Sequence, residues 1–249
     1  MIIIRNAEEI EKIRKAAQIV KTSLDEVEAA MRPGMSTWDL NDIAEATTIK
    51  LGGKPAFKGY RGFPACLCVS VNEEVVHGIP RKDRIIKEGD LVSIDYGASW
   101  QGYFGDSART IALGFRPTGK VEDLLLTTRE SLKRAIAAIK PGKFVQDISR
   151  AIQDLVEPKG FGIVRDYVGH GIGTQPHEEP PIPHYVTEDR GARLKAGMVI
   201  CIEPMINLGS EKVKVLRDGW TVVTVDGSVS AHFEHTIAIT EAGADVLSS

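Results

Sequence analysis

Carboxylates stand where apolar strands should continue. Asp95 closes the run Leu91-Val92-Ser93-Ile94, and Asp106 follows eleven residues later, beyond Trp100-Gln101-Gly102. Acidic side chains are depleted in strands and costly to bury unless they are paired or bound to a cation. A hairpin centred between Trp100 and Gln101 would place the two aspartates directly opposite each other, about 5 Å apart on one face. Like charges so placed repel. A divalent cation between them removes the repulsion, whereas a solvated hairpin would need none. Glu203 closes a second apolar run, Val199-Ile200-Cys201-Ile202. Glu234 lies two residues before Thr236-Ile237-Ala238-Ile239, and Asp106 lies four before Thr110-Ile111-Ala112-Leu113. Both offsets are even, so strand alternation turns the two acids to equivalent faces. Four carboxylates then converge, and their formal −4 balances two divalent ions. An ion-pair network would need basic residues in these strands, and none adjoins Asp95 or Glu203.

Histidine can complete such a site. Of six histidines, His170 is set among glycines in Gly169-His170-Gly171-Ile172-Gly173, which allows close backbone approach and suits a ligand. His177 follows seven residues later, and His77-Gly78-Ile79 repeats the His-Gly-Ile theme. His184, His232 and His235 have no such context and are read as structural. Cys66, Cys68 and Cys201 form an odd set without a framework of spacings. They are read as buried thiols in a reduced compartment.

The elements that must position these residues are written twice. Ala29-Ala30-Met31-Arg32-Pro33-Gly34 resembles Ala137-Ala138-Ile139-Lys140-Pro141-Gly142, 108 residues later. Lys87–Asp95 resembles Lys195–Glu203 at the same offset, as Asp39 and Gly52 match Asp147 and Gly160. Two ungapped blocks at one offset imply two related halves facing each other across a pseudo-two-fold axis. Apolar residues at three- and four-residue steps predict helices over 8–31 and 122–140, each stopped by Pro-Gly. Second helices are expected over 37–51 and 145–156, the first capped by Ser36 or Thr37. Helices followed by strands, twice, argue an α+β fold with antiparallel sheets meeting at the axis. No low-complexity linker divides the halves, so 1–249 is read as a single catalytic domain with halves of about 1–115 and 116–249.

Composition closes off other classes. A net charge of −3 gives no electrostatic case for nucleic acid or an anionic membrane as partner. No apolar stretch approaches the roughly 20 residues that span a bilayer. Met1-Ile2-Ile3-Ile4 is too brief for a signal-peptide core, so a cytoplasmic protein is expected.

Together these motifs resemble the type I methionine aminopeptidases over essentially the whole chain. The motifs are Asp95 with Asp106, Gly-His170-Gly-Ile-Gly, Ile-Glu203-Pro-Met and Phe-Glu234-His-Thr. The resemblance implies the pita-bread fold, two halves around a dimetal site, in its minimal bacterial form. It implies Asp95 on one metal, His170 and Glu203 on the other, and Asp106 and Glu234 bridging both. The ions would be cobalt, manganese, iron or zinc, the oxygen-rich set favouring the first three. It further implies catalytic roles for His77, His177 and Glu203, the two histidines on the substrate amide and Glu203 as proton relay. Tyr60, Phe63, Cys68 and Trp220 match the wall of the methionine pocket, and Asn72 and Ser230 a monovalent-cation site. Phe57 stands where a smaller residue is common, and Pro176 where some relatives carry an aromatic. The implied activity is removal of the initiator methionine from nascent proteins when the next residue is small, by a monomer working near the ribosome. Two rivals share the fold: a proline-specific dipeptidase, and a non-catalytic peptide- or RNA-binding relative.

Overall fold

The computed structural model describes residues 1–249, and its plan repeats with the sequence. Helix α1 (Ala7–Ala30) opens on Asn6, whose side chain accepts from Glu9 N while the Glu9 carboxylate accepts from Asn6 N. Helix α2 (Thr37–Lys50) opens the same way on Ser36 and Asp39. Strands β1 (Lys54–Pro55), β2 (Leu67–Val71), β3 (Glu74–Val76), β4 (Leu91–Trp100) and β5 (Tyr103–Ala112) complete the first half. In the second half, α3 (Gly119–Ala138) and α4 (Val145–Val156) precede β6 (Gly162–Ile163), β7 (Gly169–Gly171), β8 (Glu178–Ile182) and β9 (Val199–Ile202). An excursion through β10 (Met205–Asn207), β11 (Val213–Val215), β12 (Val222–Thr224) and β13 (Ser230–His232) leads to β14 (His235–Thr240) and β15 (Gly243–Val246). The expected helices are all present, with bounds displaced by at most three residues. No helix is long and apolar enough to cross a membrane.

The repeat is visible in hydrogen bonds. Asp39 accepts from Ser36 N at 2.7 Å, and Asp147 accepts from Phe144 N at 2.8 Å, 108 residues on. Isolated bridges Ser36–Ile85 and Phe144–Arg193 obey the same offset. Strand β4 pairs β5 on one edge and β1 and β2 on the other. The second sheet runs β15-β14-β9-β7-β8, so β9 and β14 answer to β4 and β5. Each half buries its own core. Tyr96, Ile94, Leu67 and Leu24 are enclosed in the first, and Ile148, Ile152, Ile200 and Ile237 in the second. A smaller cluster joins Ile13 and Ala17 of α1 to Ile172, Val199 and Ala238, tying the halves together.

The hairpin register corrects the sequence expectation. Trp100 pairs with Tyr103, and the turn is Gln101-Gly102, both left-handed at φ 50° and 81°. Two such residues form the tight turn whose twist suits a hairpin. Asp95 therefore opposes Ala108, and Asp106 opposes Gly97. The aspartates are diagonal neighbours instead of direct ones. Because the turn moved by a whole residue, both keep the face that alternation assigned them.

Candidate metal centre

The outer edge of β5 meets the second half along β13 and β14. Asp106 N donates to Thr236 Oγ1, which donates back to the Asp106 carbonyl. Across the axis, His232 N donates to Thr110 Oγ1, which donates back to the His232 carbonyl. Thr110 and Thr236 are thus counterparts, 126 residues apart. Their buried hydroxyls also touch counterpart side chains, Ser93 at 2.8 Å and Cys201 at 3.6 Å. The offset grows from 108 to 126 because the β10–β13 excursion adds 18 residues between β9 and β14. Asp95 and Glu203 occupy equivalent positions. Asp106 and Glu234 share a face only: the counterpart of Asp106 is His232, and that of Glu234 is Ala108.

Charge in this junction is unbalanced. Donor atoms of Asp95, Asp106 and Glu234 lie within 4.8 Å of one another, as do those of His170, Cys201 and Glu234. His170 Nε2 is 3.4 Å from Glu203 Oε1. No lysine or arginine reaches any of the four carboxylates; their only cross-pairs are His170 and His232 on Glu203. Asp95 Oδ1, Asp106 Oδ1 and Glu234 Oε1 are buried without any hydrogen-bond partner. Burial, opposed in part by His232, pushes the Asp95 carboxyl up to about 6. Burial and then the neighbouring acids push Asp106, Glu203 and Glu234 well above the usual carboxylate range. Orphaned, mutually repelling oxygens beside an imidazole are what a hard divalent cation satisfies, so these residues fit a metal site. Cys201 contributes no charge, because burial and then Glu234 hold its thiol protonated.

Local sequence explains how His170 gets there. Its Nδ1 lies 2.9 Å from the Gly171 carbonyl, which places the proton on Nδ1 and leaves Nε2 to accept or ligate. A side chain at Gly169 would collide with the Cys201 carbonyl, and one at Gly171 with the Glu179 carbonyl. The strand therefore carries His170 into the sheet only between glycines. In the first half the equivalent pairing position, opposite Ser93, is Ser70. That is why only one half supplies a histidine.

The acids form the floor of a cavity of about 130 Å³. His77 and His177 line its sides together with Tyr60, Phe63, Cys68 and Trp220, so the eleven sequence-predicted site residues surround one space. Phe57 also lines it and packs against Gly97, whereas Pro176 is buried outside the lining. His177 stacks on Tyr60 at 5.3 Å, with its Nδ1 3.1 Å from the tyrosine hydroxyl. Phe63 meets Trp220 edge-on at 5.2 Å. Trp220 arrives on the excursion, whose β12 pairs β3 just before His77. His77 itself is left-handed at φ 58°, a conformation that costs a non-glycine residue about 1 kcal/mol or more and is retained mostly where function needs it. Ser230 N donates to the Asn72 carbonyl at 2.9 Å, so those two residues also meet.

Four neighbours lie outside the sequence expectation, the first being Arg61, which lines the cavity with its guanidinium 5.4 Å from the Tyr60 ring centroid. Tyr167 touches the His77 ring edge-on at 5.4 Å. His184 and His232, read as structural, are both buried against Glu203. His184 Nε2 accepts from Glu203 N at 3.3 Å, and His232 Nε2 lies 3.7 Å from Glu203 Oε2. Alternation from Glu234 to His232 was the available signal for the second of these.

A pH prediction follows from the raised carboxyls. A carboxyl whose pKa rises on folding contributes stability that is complete below the ordinary value and is lost as pH climbs through the raised one. The metal-free protein should therefore lose thermal stability as pH rises through about 6, where Asp95 titrates, and beyond it as the others do. Divalent cation should restore it and release protons on binding. Calorimetric titration with manganese in buffers of different ionisation enthalpy checks this. Binding without proton release at pH 6–7 would refute it.

Residues 11–241 match the model of Metallopeptidase family M24. Methionine aminopeptidase 1 of Bacillus subtilis is 51% identical, with 99% of each chain covered. The enzyme of Aquifex aeolicus is 50% identical over 96% of this chain and 95% of its own. The crystal structure of methionine aminopeptidase from Thermotoga maritima superposes with a TM-score of 0.97 at 50% identity, covering both chains fully. Prolidase from Pyrococcus furiosus shares the fold with a TM-score of 0.81, but at 29% identity and over only 65% of its own chain.

Proposed function

The chain belongs to Metallopeptidase family M24, among its methionine aminopeptidases with the pita-bread α+β fold, and from that premise we propose how its residues divide the work. The activity is hydrolytic removal of N-terminal methionine, and the family implies divalent metal ions. Asp95, Asp106, His170, Glu203 and Glu234 would hold two of them. The observation that carries this is the set of buried, partnerless carboxylate oxygens with no lysine or arginine among them. A pair of divalent ions supplies an activated water and polarises the scissile carbonyl.

The remaining work falls to side chains. Glu203, which lines the cavity, would take the proton from water and pass it to the leaving amine. His177 faces the cavity with its Nδ1 3.1 Å from the Tyr60 hydroxyl; with that hydroxyl as donor, the ring proton would sit on Nε2, ready to donate to the developing oxyanion. Burial lowers His77 to about 4, so at neutral pH its uncharged ring is available to orient the peptide nitrogen. Tyr60, Phe63, Cys68, Trp220 and Phe57 form the apolar wall for the methionine side chain. Such a wall discriminates by about 1–3 kcal/mol per methylene. Phe57 narrows the space and should sharpen the preference for an unbranched chain. The ions would be manganese, iron, cobalt or zinc, with a monovalent cation near Asn72 and Ser230. The substrate is the N-terminal peptide of nascent proteins, preferentially with a small second residue, met by a cytoplasmic monomer near the ribosome.

The test is substrate choice after metal exchange. Protein stripped with chelator should be inactive and should recover on adding manganese, cobalt or iron. It should then release methionine from a Met-Gly-led peptide and leave an Xaa-Pro dipeptide intact. Cleavage of the proline substrate alone would overturn the reading, and inactivity with every metal would point to a binding protein.

A further inference from the structure

We propose that His232 is a positioning residue for Glu203, its Nε2–H holding Oε2 so that Oε1 stays turned toward His170 and the metal. The proposal rests on the metal reading of the centre. Its geometry is independent of that reading. The two Glu203 oxygens face two different histidines, Oε1 3.4 Å from His170 Nε2 and Oε2 3.7 Å from His232 Nε2. His232 is 1% exposed, and neither of its ring nitrogens has a partner. A buried N–H facing a largely enclosed carboxylate just beyond hydrogen-bonding range is a contact that loading of the centre would close.

Symmetry supports the assignment. His232 occupies in the second half the place Asp106 holds in the first, and its backbone is pinned by Thr110 as that of Asp106 is by Thr236. One half thus presents a carboxylate to the centre and the other a hydrogen-bond donor. Among basic side chains, only His170 and His232 come within ion-pairing distance of the Glu203 carboxylate. On the other side, Glu203 N donates to His184 Nε2, which requires the proton of His184 on Nδ1. The two buried histidines flanking Glu203 therefore carry opposite tautomers.

The experiment compares wild type with His232→Gln, which keeps an N–H donor, and His232→Met, which fills the space without one. Calorimetric manganese titration and steady-state kinetics on a Met-Gly-led peptide are run on all three. Manganese affinity and kcat should fall about 10- to 100-fold in His232→Met, with KM unchanged, and His232→Gln should stay within about threefold of wild type. Long-range ¹H–¹⁵N spectra of histidine-labelled wild type should show His232 protonated on Nε2 and His184 on Nδ1. Wild-type behaviour of His232→Met, equal impairment of both variants, or an Nδ1-protonated His232 would overturn the proposal. If His232→Met does not fold, the tautomer and His232→Gln still decide. Wild type that binds no divalent ion would defeat the metal reading itself, which separates the two failures.

Discussion

Asp106→Asn is expected to lower peptide hydrolysis by about 10³-fold or more while making the metal-free protein more stable at pH 8. Asp106 sits between the other acids, and its Oδ1 has no partner. Its carboxyl is held well above its ordinary pKa, first by burial and then by Glu234, Asp95 and Glu203. Ionising it in the folded chain is therefore unfavourable, and the penalty is felt as pH rises through the raised value. Asparagine matches its shape, never ionises, and offers an N–H₂ to the neighbouring acids. In chelator the variant should melt above wild type at pH 8 and close to it at pH 4. In manganese the order should reverse, because only wild type gains from binding. Thermal melts at both pH values, with and without metal, decide the matter. A variant that keeps its turnover, or melts below wild type in chelator at pH 8, would show that Asp106 serves packing and not metal.

That prediction draws on features the sequence shows with unequal clarity. Facing is robust, because alternation survives any shift of the turn by a whole residue. Alternation therefore puts the four acids on the right faces even with the hairpin centred one residue early. Register is fragile, since it depended on Gln101 accepting a left-handed conformation beside Gly102. The ungapped repeat located Asp95 and Glu203 as counterparts. It cannot follow the change of offset from 108 to 126, so the pattern relates Glu234 to Asp106 by face, whereas His232 is the true counterpart. The immediate neighbours of His232 carry no ligand signal, although alternation from Glu234 points it at the centre. The pocket wall was legible only through family resemblance. Trp220 comes from an excursion that one half alone possesses, and no local pattern predicts that β12 will pair with β3.

The largest expected loss of stability lies outside the acids, where the N-terminal arm meets the loop that carries His177. Arg5 Nη2 donates to both oxygens of Glu178 at 2.6 Å, and both side chains are nearly enclosed. Glu178 also accepts from Thr174 N at 2.8 Å and Gln175 N at 3.1 Å, so its carboxylate gathers the turn that precedes His177. Gly173 is required for this, because a side chain there would strike the Arg5 guanidinium. Arg5 is in turn fixed by its own N–H on the Gly197 carbonyl at 2.8 Å. Removing one partner of a buried pair leaves an uncompensated charge, so Arg5→Met should cost about 3–5 kcal/mol in urea unfolding. The turn loses its anchor, and misplacement of His177 by about 1 Å can cost on the order of 10²-fold in turnover. Metal content should be unaffected, since His170 is held by its own sheet pairing with β9. Adding Glu178→Leu to Arg5→Met should return most of the stability, because an apolar pair no longer strands a charge. It should not return the activity, because the Thr174 and Gln175 donors then have nothing to hold them. If the double variant regains turnover along with stability, the arm acts on folding alone and the Glu178 turn does not position His177.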